Sequence, residues 1–296
     1  MKVKKLAAID IGSNAIRILI SNVFEVEGSQ PIFMKSEMVR VPIRLGEDSF
    51  TVGEISPKNI KRIIKAMKAF KLIMKINGVK HYMACATSAL RESNNSEEIL
   101  KKVKKKTGIK IEVIDGNREA QIISNTTIMD SIGQNKNYLY VDVGGGSTEF
   151  SVFQNGKRIA SKSFKVGTVR MLNDMVNDKV WLEIEKWIVT NTKKTSKINL
   201  LGSGGNINKL FKLSNTKEGK PLMFITLNTF YQEFKKMSYE ERVLKYNLNL
   251  DRADVILPAL EIYLKALKWS GASKVYVPKI GLSDGMVKVM YKKYNP

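Results

Sequence analysis

Histidine and cysteine are nearly missing from this chain: each occurs once in 296 residues, as His81 and Cys85. A single cysteine excludes an intramolecular disulfide and suits a reducing compartment. Cys85 sits in the apolar run Tyr82-Met83-Ala84-Cys85-Ala86, which reads as a buried structural thiol rather than a nucleophile. One imidazole excludes Ser-His-Asp triads, histidine-rich zinc sites and HEXXH metalloenzymes. Any metal is therefore a hard cation on oxygen ligands, and His81, opening a strand, reads as structural. No apolar run approaches the ~20 residues that span a membrane. The start Met1-Lys2-Val3-Lys4-Lys5 resembles that of a signal peptide, but Asp10 and Gly12 cut the following apolar stretch too early for one, and a cytoplasmic protein is expected. Acid is scarce as well: 28 Asp and Glu face 50 Lys and Arg, a net charge of +22. Such an excess concentrates anions near the surface. Nucleic acid, anionic lipid or a phosphate polymer each fits it, although no nucleic-acid-reading module is recognisable.

What is present is a chain long enough for two domains at ~150 residues each, with 43% hydrophobic residues to fill a core in each half. Strands are expected at Leu6–Ile9, Ala15–Phe24, Pro31–Val41, His81–Ala86 and Ile109–Ile114. A helix is expected over Pro57–Asn77, where Ile60, Ile63, Ile64, Met67, Phe70 and Ile73 recur at helical spacing. Another should be capped by Ser96, with Glu97 and Glu98 in its first turn and lysines in its last; those lysines read as a solvated face. A Thr-Ser turn follows the strand ending at Ala86. From Asn137 the pattern restarts: a strand over Tyr138–Val141, a glycine turn, a strand over Glu149–Phe153, and an Asn155-Gly156 hairpin into Arg158–Phe164. Strand, glycine turn and helix recur at Asn199-Leu200-Leu201, Gly202–Gly205 and Ile207–Phe211. A long helix over Arg252–Trp269, a strand at Val275–Val277 and a helix at Asp284–Tyr291 complete the reading. No Pro/Ser-rich linker occurs, so the boundary is placed inside a helix near Glu119–Ile132. This gives domains 1–124 and 125–296, with the last helix expected to pack back on the first.

Two Asp-x-Gly turns carry the chemistry. Aligning Asp10 with Asp142 places Gly12 on Gly144 and Arg17 on Glu149. Glycines between strands let backbone amides approach an anion without interference from Cβ; Ser13, Ser147 and Thr148 add hydroxyls. An Asp ending the first strand of such a hairpin can hold a hydrated divalent cation against phosphates. A single Gly-rich hairpin is ordinarily only a hairpin; its duplication with the Asp in register is the signal. Gly144-Gly145-Gly146 is not a dinucleotide fingerprint, because a strand and not a helix follows it. No Gly-Lys-Ser/Thr phosphate loop occurs either.

The strings Ala8-Ile9-Asp10-Ile11-Gly12-Ser13-Asn14 and Val141–Glu149 resemble the two phosphate motifs of the exopolyphosphatase/guanosine pentaphosphatase (Ppx/GppA) family. Ala86–Arg91, Gly116–Ala120, Gly202–Gly205, Arg252-Ala253-Asp254 and Gly281-Leu282-x-x-Gly285 match further family segments in order, over nearly the whole chain. The resemblance implies an α/β fold of two ribonuclease-H-like domains, of the actin/Hsp70/sugar-kinase superfamily, with an interdomain cleft. It implies Glu119 as the base that activates water and Asp142 and Glu149 as carboxylates positioning Mg²⁺ or Mn²⁺, with Asp10 a further metal ligand. It implies Arg17 and Arg91 on phosphates, beside Gly12, Ser13, Asn14, Gly144, Gly145, Gly146, Ser147, Thr148 and Gly204. One departure is Arg118, where the family commonly has a second acid; a neighbouring cation favours ionised Glu119 or contacts substrate. Read from the residues alone, Glu119 is a first-turn helix acid and Arg91 a partner for Glu92 or another surface acid.

The leading expectation is exopolyphosphatase activity on inorganic polyphosphate, with guanosine pentaphosphate hydrolysis on the same site as its close alternative, and a homodimer as the assembly. A sugar or acid kinase of the same fold, and a non-enzymatic polyanion binder using the basic surface alone, are the competing classes.

Overall fold

The computed structural model of this chain describes residues 1–126, 136–193 and 197–295. The backbone divides into two units. One is Met1–Thr126 together with the segment from Leu282 onward; the other ends at Gly281.

The first unit is built on five strands: β1 (Lys2–Ile11), β2 (Ile16–Glu25), β3 (Ile32–Val41), β4 (His81–Ala86) and β5 (Glu112–Val113), in the order β3-β2-β1-β4-β5. β1, β2 and β3 pair antiparallel, whereas β4 joins β1 in parallel. A parallel pair needs a crossover, which covers the sheet face and explains why Leu6–Ile11 is buried without alternation. Edge strand β3 is largely exposed. Within the crossover, α1 (Leu45–Thr51), which the sequence pattern does not announce, precedes α2 (Pro57–Ile76). Pro57 occupies the first turn, where its missing N–H costs nothing, and the Ser56 hydroxyl accepts the Asn59 amide at 3.3 Å.

The expected Thr-Ser turn is the short helix α3 (Ser88–Arg91). α4 (Ser96–Thr107) has Ser96 as its first residue, with Asn95 rather than Ser96 at the cap, and ends on left-handed Gly108. The strand expected over Ile109–Ile114 pairs only at Glu112–Val113. α5 (Gly116–Ser124) is capped by the Asp115 carboxylate, which accepts the Arg118 amide at 2.7 Å. The helix expected to continue toward Ile132 ends at Ser124, and the positions after Thr126 in that stretch lie outside the described residues. Cys85 is buried, and that burial pushes its thiol up to about 12, as an inert structural thiol requires.

The second unit repeats the arrangement. β6 (Asn137–Val143), β7 (Thr148–Gln154), β8 (Lys157–Phe164), β9 (Ile198–Ser203), β10 (Leu222–Met223) and β11 (Lys274–Tyr276) stand in the order β8-β7-β6-β9-β11-β10. Antiparallel β6, β7 and β8 correspond to β1, β2 and β3; parallel β9 corresponds to β4. Asn155 and Gly156, at φ 48° and 76°, give β7 and β8 the mirror-image turn whose twist suits a two-residue hairpin. Four helices not anticipated from the sequence belong to this unit: α6 (Thr168–Leu172), α7 (Asp178–Thr192), α9 (Phe224–Lys236) and α10 (Tyr239–Tyr246), with α8 (Gly205–Leu213) directly after β9. The helix expected over Arg252–Trp269 is two helices, α11 (Leu250–Ala253) and α12 (Ile256–Ser270). Pro258 is the reason: its ring excludes a continuous helix through Asp254 but is tolerated in the first turn of a new one. Leu139, Val141, Phe150, Val152, Leu200, Leu260 and Tyr263 sit in the core.

The last helix, α13 (Leu282–Tyr294), packs on β1 and α5 of the first unit. A Cβ at Gly285 would lie 2.3 Å from the Ile122 carbonyl oxygen, so the glycine is what lets α13 and α5 touch backbone to backbone. Among the described residues no helix is long and apolar enough to cross a membrane.

Candidate active site

Both hairpin turns close identically. The Gly12 amide donates to Ala15 O at 3.1 Å, and the Gly144 amide to Ser147 O at 3.0 Å. Their strands pair in the same register: Asp10 stands opposite Arg17, and Asp142 opposite Glu149. The alignment read from the sequence is thus a structural equivalence between the two units.

The surroundings of the turns also correspond. In the first unit, Ser13 O and Asn14 O accept the amides of Gly46 (2.8 Å) and Arg44 (3.0 Å) at the start of α1. In the second, Gly144 O and Gly145 O accept the amides of Thr168 (3.0 Å) and Val169 (2.8 Å) at the start of α6. Buried Arg170 adds an Nε bond to Gly146 O at 2.6 Å. Backbone whose successive carbonyls are held from behind turns its amides the other way, as an anion-binding nest requires. Gly167 allows this approach, because a Cβ there would lie 2.4 Å from Gly145 O.

The two turns differ in charge. In the first, Arg17 Nη1 approaches Asp10 Oδ2 at 3.4 Å. Burial raises the Asp10 pKa above its ordinary value, and the Arg17 cation partly opposes that shift. In the second, two carboxylates face each other across the strand pair. Glu149, buried in the sheet, accepts Ser147 Oγ (2.6 Å) and Ser163 Oγ (2.8 Å) on Oε1. Asp142 accepts the Tyr140 hydroxyl at 3.2 Å, and burial keeps that hydroxyl protonated by raising its pKa well above 10.0. Like charges directly opposite one another are unfavourable, and a hard cation is a partner that would offset them. Among the described residues no three or more His, Cys, Asp or Glu side chains gather as a protein-only cage. A cation on the Asp142–Glu149 pair would therefore complete its shell with water and phosphate oxygens, as Mg²⁺ does.

The three expected hydroxyls all have internal partners. Ser13 Oγ lies 3.1 Å from Ser88 Oγ, Ser147 bonds Glu149, and Thr148 Oγ1 donates to Val166 O at 2.7 Å. In these turns the Gly12 and Gly144 amides close the hairpins, which leaves the amides of Ser13, Asn14, Gly145 and Gly146 as the donors for an anion. Gly204, at φ 111°, caps α8; a Cβ there would lie 2.9 Å from Val143 O and 3.6 Å from Asp142 Oδ1, so only glycine brings this helix start beside the carboxylate. Tyr263 braces the same place, its hydroxyl donating to Val141 O at 3.2 Å and to Ser203 O.

Glu119 is buried in the first turn of α5. Arg91 Nη1 donates to Ile114 O at 2.7 Å, so its partner is a carbonyl and not Glu92, and it steadies the chain one residue before the Asp115 cap. Arg118 Nη1 donates to Gln121 Oε1 at 2.9 Å. Arg170, Tyr140 and Tyr263 are the supporting residues that the sequence reading missed. Arg170 carried no signal, being one cation among 50.

Duplicated sheets with equivalent β-hairpins define a protein of the actin-like ATPase fold. Within that fold the chain belongs to the Ppx/GppA phosphatase family, whose description matches it over residues 23–294. It is 32% identical to the bifunctional 3-dehydroquinate synthase/phosphatase of Fusobacterium nucleatum over 67% of this chain and 32% of the relative. It is 28% identical to exopolyphosphatase 1 of Mycobacterium tuberculosis over 59% of this chain and 49% of the relative. The alignments thus span half or less of these relatives' lengths. The crystal structure of an exopolyphosphatase from Cytophaga hutchinsonii has the same fold, with a TM-score of 0.86 at 23% identity, covering 98% of each chain.

Proposed function

We propose that the chain is an exopolyphosphatase, releasing orthophosphate from the end of inorganic polyphosphate. The observation that carries this reading is the second hairpin, where a carbonyl-pinned glycine turn adjoins the cross-strand pair Asp142 and Glu149. Such a turn suits phosphate oxygens, and such a pair suits the divalent cation that polyphosphate brings with it. Family membership and the exopolyphosphatase relative support the choice of substrate.

In this reading the amides of Gly145 and Gly146, in the turn that Gly144 opens, hold the terminal phosphate, with Gly12, Ser13 and Asn14 as the equivalent turn. Asp142 and Glu149 would hold Mg²⁺ or Mn²⁺, which would supply positive charge to the phosphate oxygens, and Asp10 is the equivalent acid of the first turn. Arg17 and Arg91 supply further donors to phosphate. Glu119 accepts the proton of a water whose oxygen attacks the terminal phosphorus in line. The bridging P–O bond breaks, its electron pair leaves with the shortened chain, and orthophosphate is released.

The test is phosphate release from polyphosphate, guanosine pentaphosphate and ATP side by side, with and without Mg²⁺. Cation-dependent release from polyphosphate is expected. Glu119→Gln should lower kcat by about 100-fold or more, the scale of general-base catalysis, while polyphosphate binding persists. Release from guanosine pentaphosphate alone would move the assignment to the nucleotide. Phosphorylation of a sugar or acid by ATP would replace it with a kinase, and polyphosphate binding without turnover would replace it with a non-enzymatic binder.

A further inference from the structure

In the second hairpin, each member of the acid pair has one oxygen engaged by neutral hydroxyl donors. Glu149 Oε1 accepts those of Ser147 and Ser163, and Asp142 Oδ2 accepts that of Tyr140 at 3.2 Å. Tyr140 and Asp142 are two residues apart on β6, so their side chains leave the same face of the strand, and the phenol hydroxyl meets the carboxylate there. The Tyr140 side chain is fully in the interior, at 1% exposure. A phenylalanine would fill the same volume, and a buried hydroxyl costs free energy unless it is bonded. Tyr263, buried likewise, gives its hydroxyl to backbone, at Val141 O and Ser203 O. The bond of Tyr140 goes to a carboxylate instead.

The first hairpin is an internal comparison. Asp10 and Asp142 are equivalent, so the position of Tyr140 is held there by Ala8, which has no side-chain donor. Asp10 meets the Arg17 cation instead, at 3.4 Å. An arginine orients a carboxylate and offsets its charge; a phenol orients it and leaves the charge in place for a cation. A carboxylate turns broadly about its last torsion, and a donor fixed to one oxygen holds its plane. With Oδ2 held in this way, Asp142 Oδ1 stands towards Gly204, 3.6 Å from the place a Cβ would take. Groups that orient a metal ligand without touching the metal set its affinity. We propose that Tyr140 is a positioning residue: its hydroxyl fixes the plane of the Asp142 carboxylate and thereby sets how tightly the Asp142–Glu149 pair takes a divalent cation. This role rests on the pair holding a cation, as the phosphatase reading has it.

The test reads cation binding without turnover, by electron paramagnetic resonance of free Mn²⁺ titrated with wild type, Tyr140→Phe and Tyr138→Phe. Tyr138 is equally buried on the same face of β6 and packs edge-on against Tyr276, 6.4 Å between ring centroids; its variant controls for the loss of a buried phenol hydroxyl. Tyr140→Phe should weaken Mn²⁺ binding about tenfold, the lower end of what such supporting groups contribute, with Tyr138→Phe like wild type. In phosphate release, the Mg²⁺ concentration for half-maximal rate should rise by about the same factor, with kcat recovered at saturating Mg²⁺. Unchanged Mn²⁺ affinity in Tyr140→Phe, or an equal loss in Tyr138→Phe, overturns the proposal. So does a wild type that binds no Mn²⁺, or a Tyr140→Phe chain that no longer melts cooperatively in EDTA. If the wild type releases no orthophosphate but Tyr140→Phe still binds Mn²⁺ more weakly, the phosphatase reading fails and the positioning role stands.

Discussion

At Gly167 a single added methyl group has nowhere to go. It would meet Gly145 O at 2.4 Å, a backbone atom that cannot swing aside as a flexible side chain can. The backbone at Gly167 is extended (φ −158°), so an alanine is strained there only by contact. Gly167→Ala should therefore push the turn off α6, costing about 1–3 kcal/mol as overpacking does. It should also raise KM for polyphosphate, through displaced amides rather than through lost charge. A thermal melt and steady-state phosphate release check the two effects, and a variant with wild-type values in both would remove the pinned turn from the account. Arg170 acts at the same place: its Nε bond to Gly146 O is charge-assisted and buried, hence stronger than a neutral one.

Element by element, the structural debt falls on α13. This helix fills the first unit with Leu282, Met286, Val287 and Met290 and is tied to β2 by the Tyr291 hydroxyl, which donates to Glu25 Oε1 at 2.8 Å. Lys4 Nζ reaches the same oxygen at 2.7 Å. The Lys4 bond first, then that of Tyr291, holds the Glu25 pKa below its ordinary 4.5. A lowered carboxylate pKa stabilises the native state above the unfolded value, and the contribution is lost as pH falls through the folded value. Glu25→Gln should thus lower the melting temperature at pH 7, with the two proteins converging as pH drops below 4.5. A constant difference across that range would mean that the contact acts through packing. α8 and α12 do comparable work in the second unit, α12 by setting Tyr263 under the ends of β6 and β9.

Over the whole molecule the +22 charge sets how a polyanion is captured. Exposed cations act at long range and are screened beyond ~10 Å at 0.1 M salt. Added salt should therefore weaken binding of long-chain polyphosphate more steeply than that of tripolyphosphate, whose contacts are confined to the turns. Affinities measured across a salt series check this; parallel slopes for the two ligands would confine recognition to the site itself. Within the two units, charge is used selectively. Asp10 is balanced by Arg17, whereas the equivalent Asp142 faces Glu149, so one duplicated hairpin carries a compensated acid and the other an acid pair.

The amino-acid sequence by itself determined the paired hairpins and the equivalence of Asp10 with Asp142, because turn chemistry and strand alternation are local and leave periodic traces. It also carried α2, β4 and the Asn155-Gly156 turn for the same reason. It could have yielded α7, where Val180, Trp181, Ile184, Trp187 and Ile188 recur at helical spacing. Only the tertiary structure decided that the glycine turns are held from behind by α1 and α6, that Arg91 serves Ile114 O, and that Tyr263 braces two strand ends. These are contacts between residues distant in sequence, fixed by how helices pack on sheets, and no local pattern encodes them.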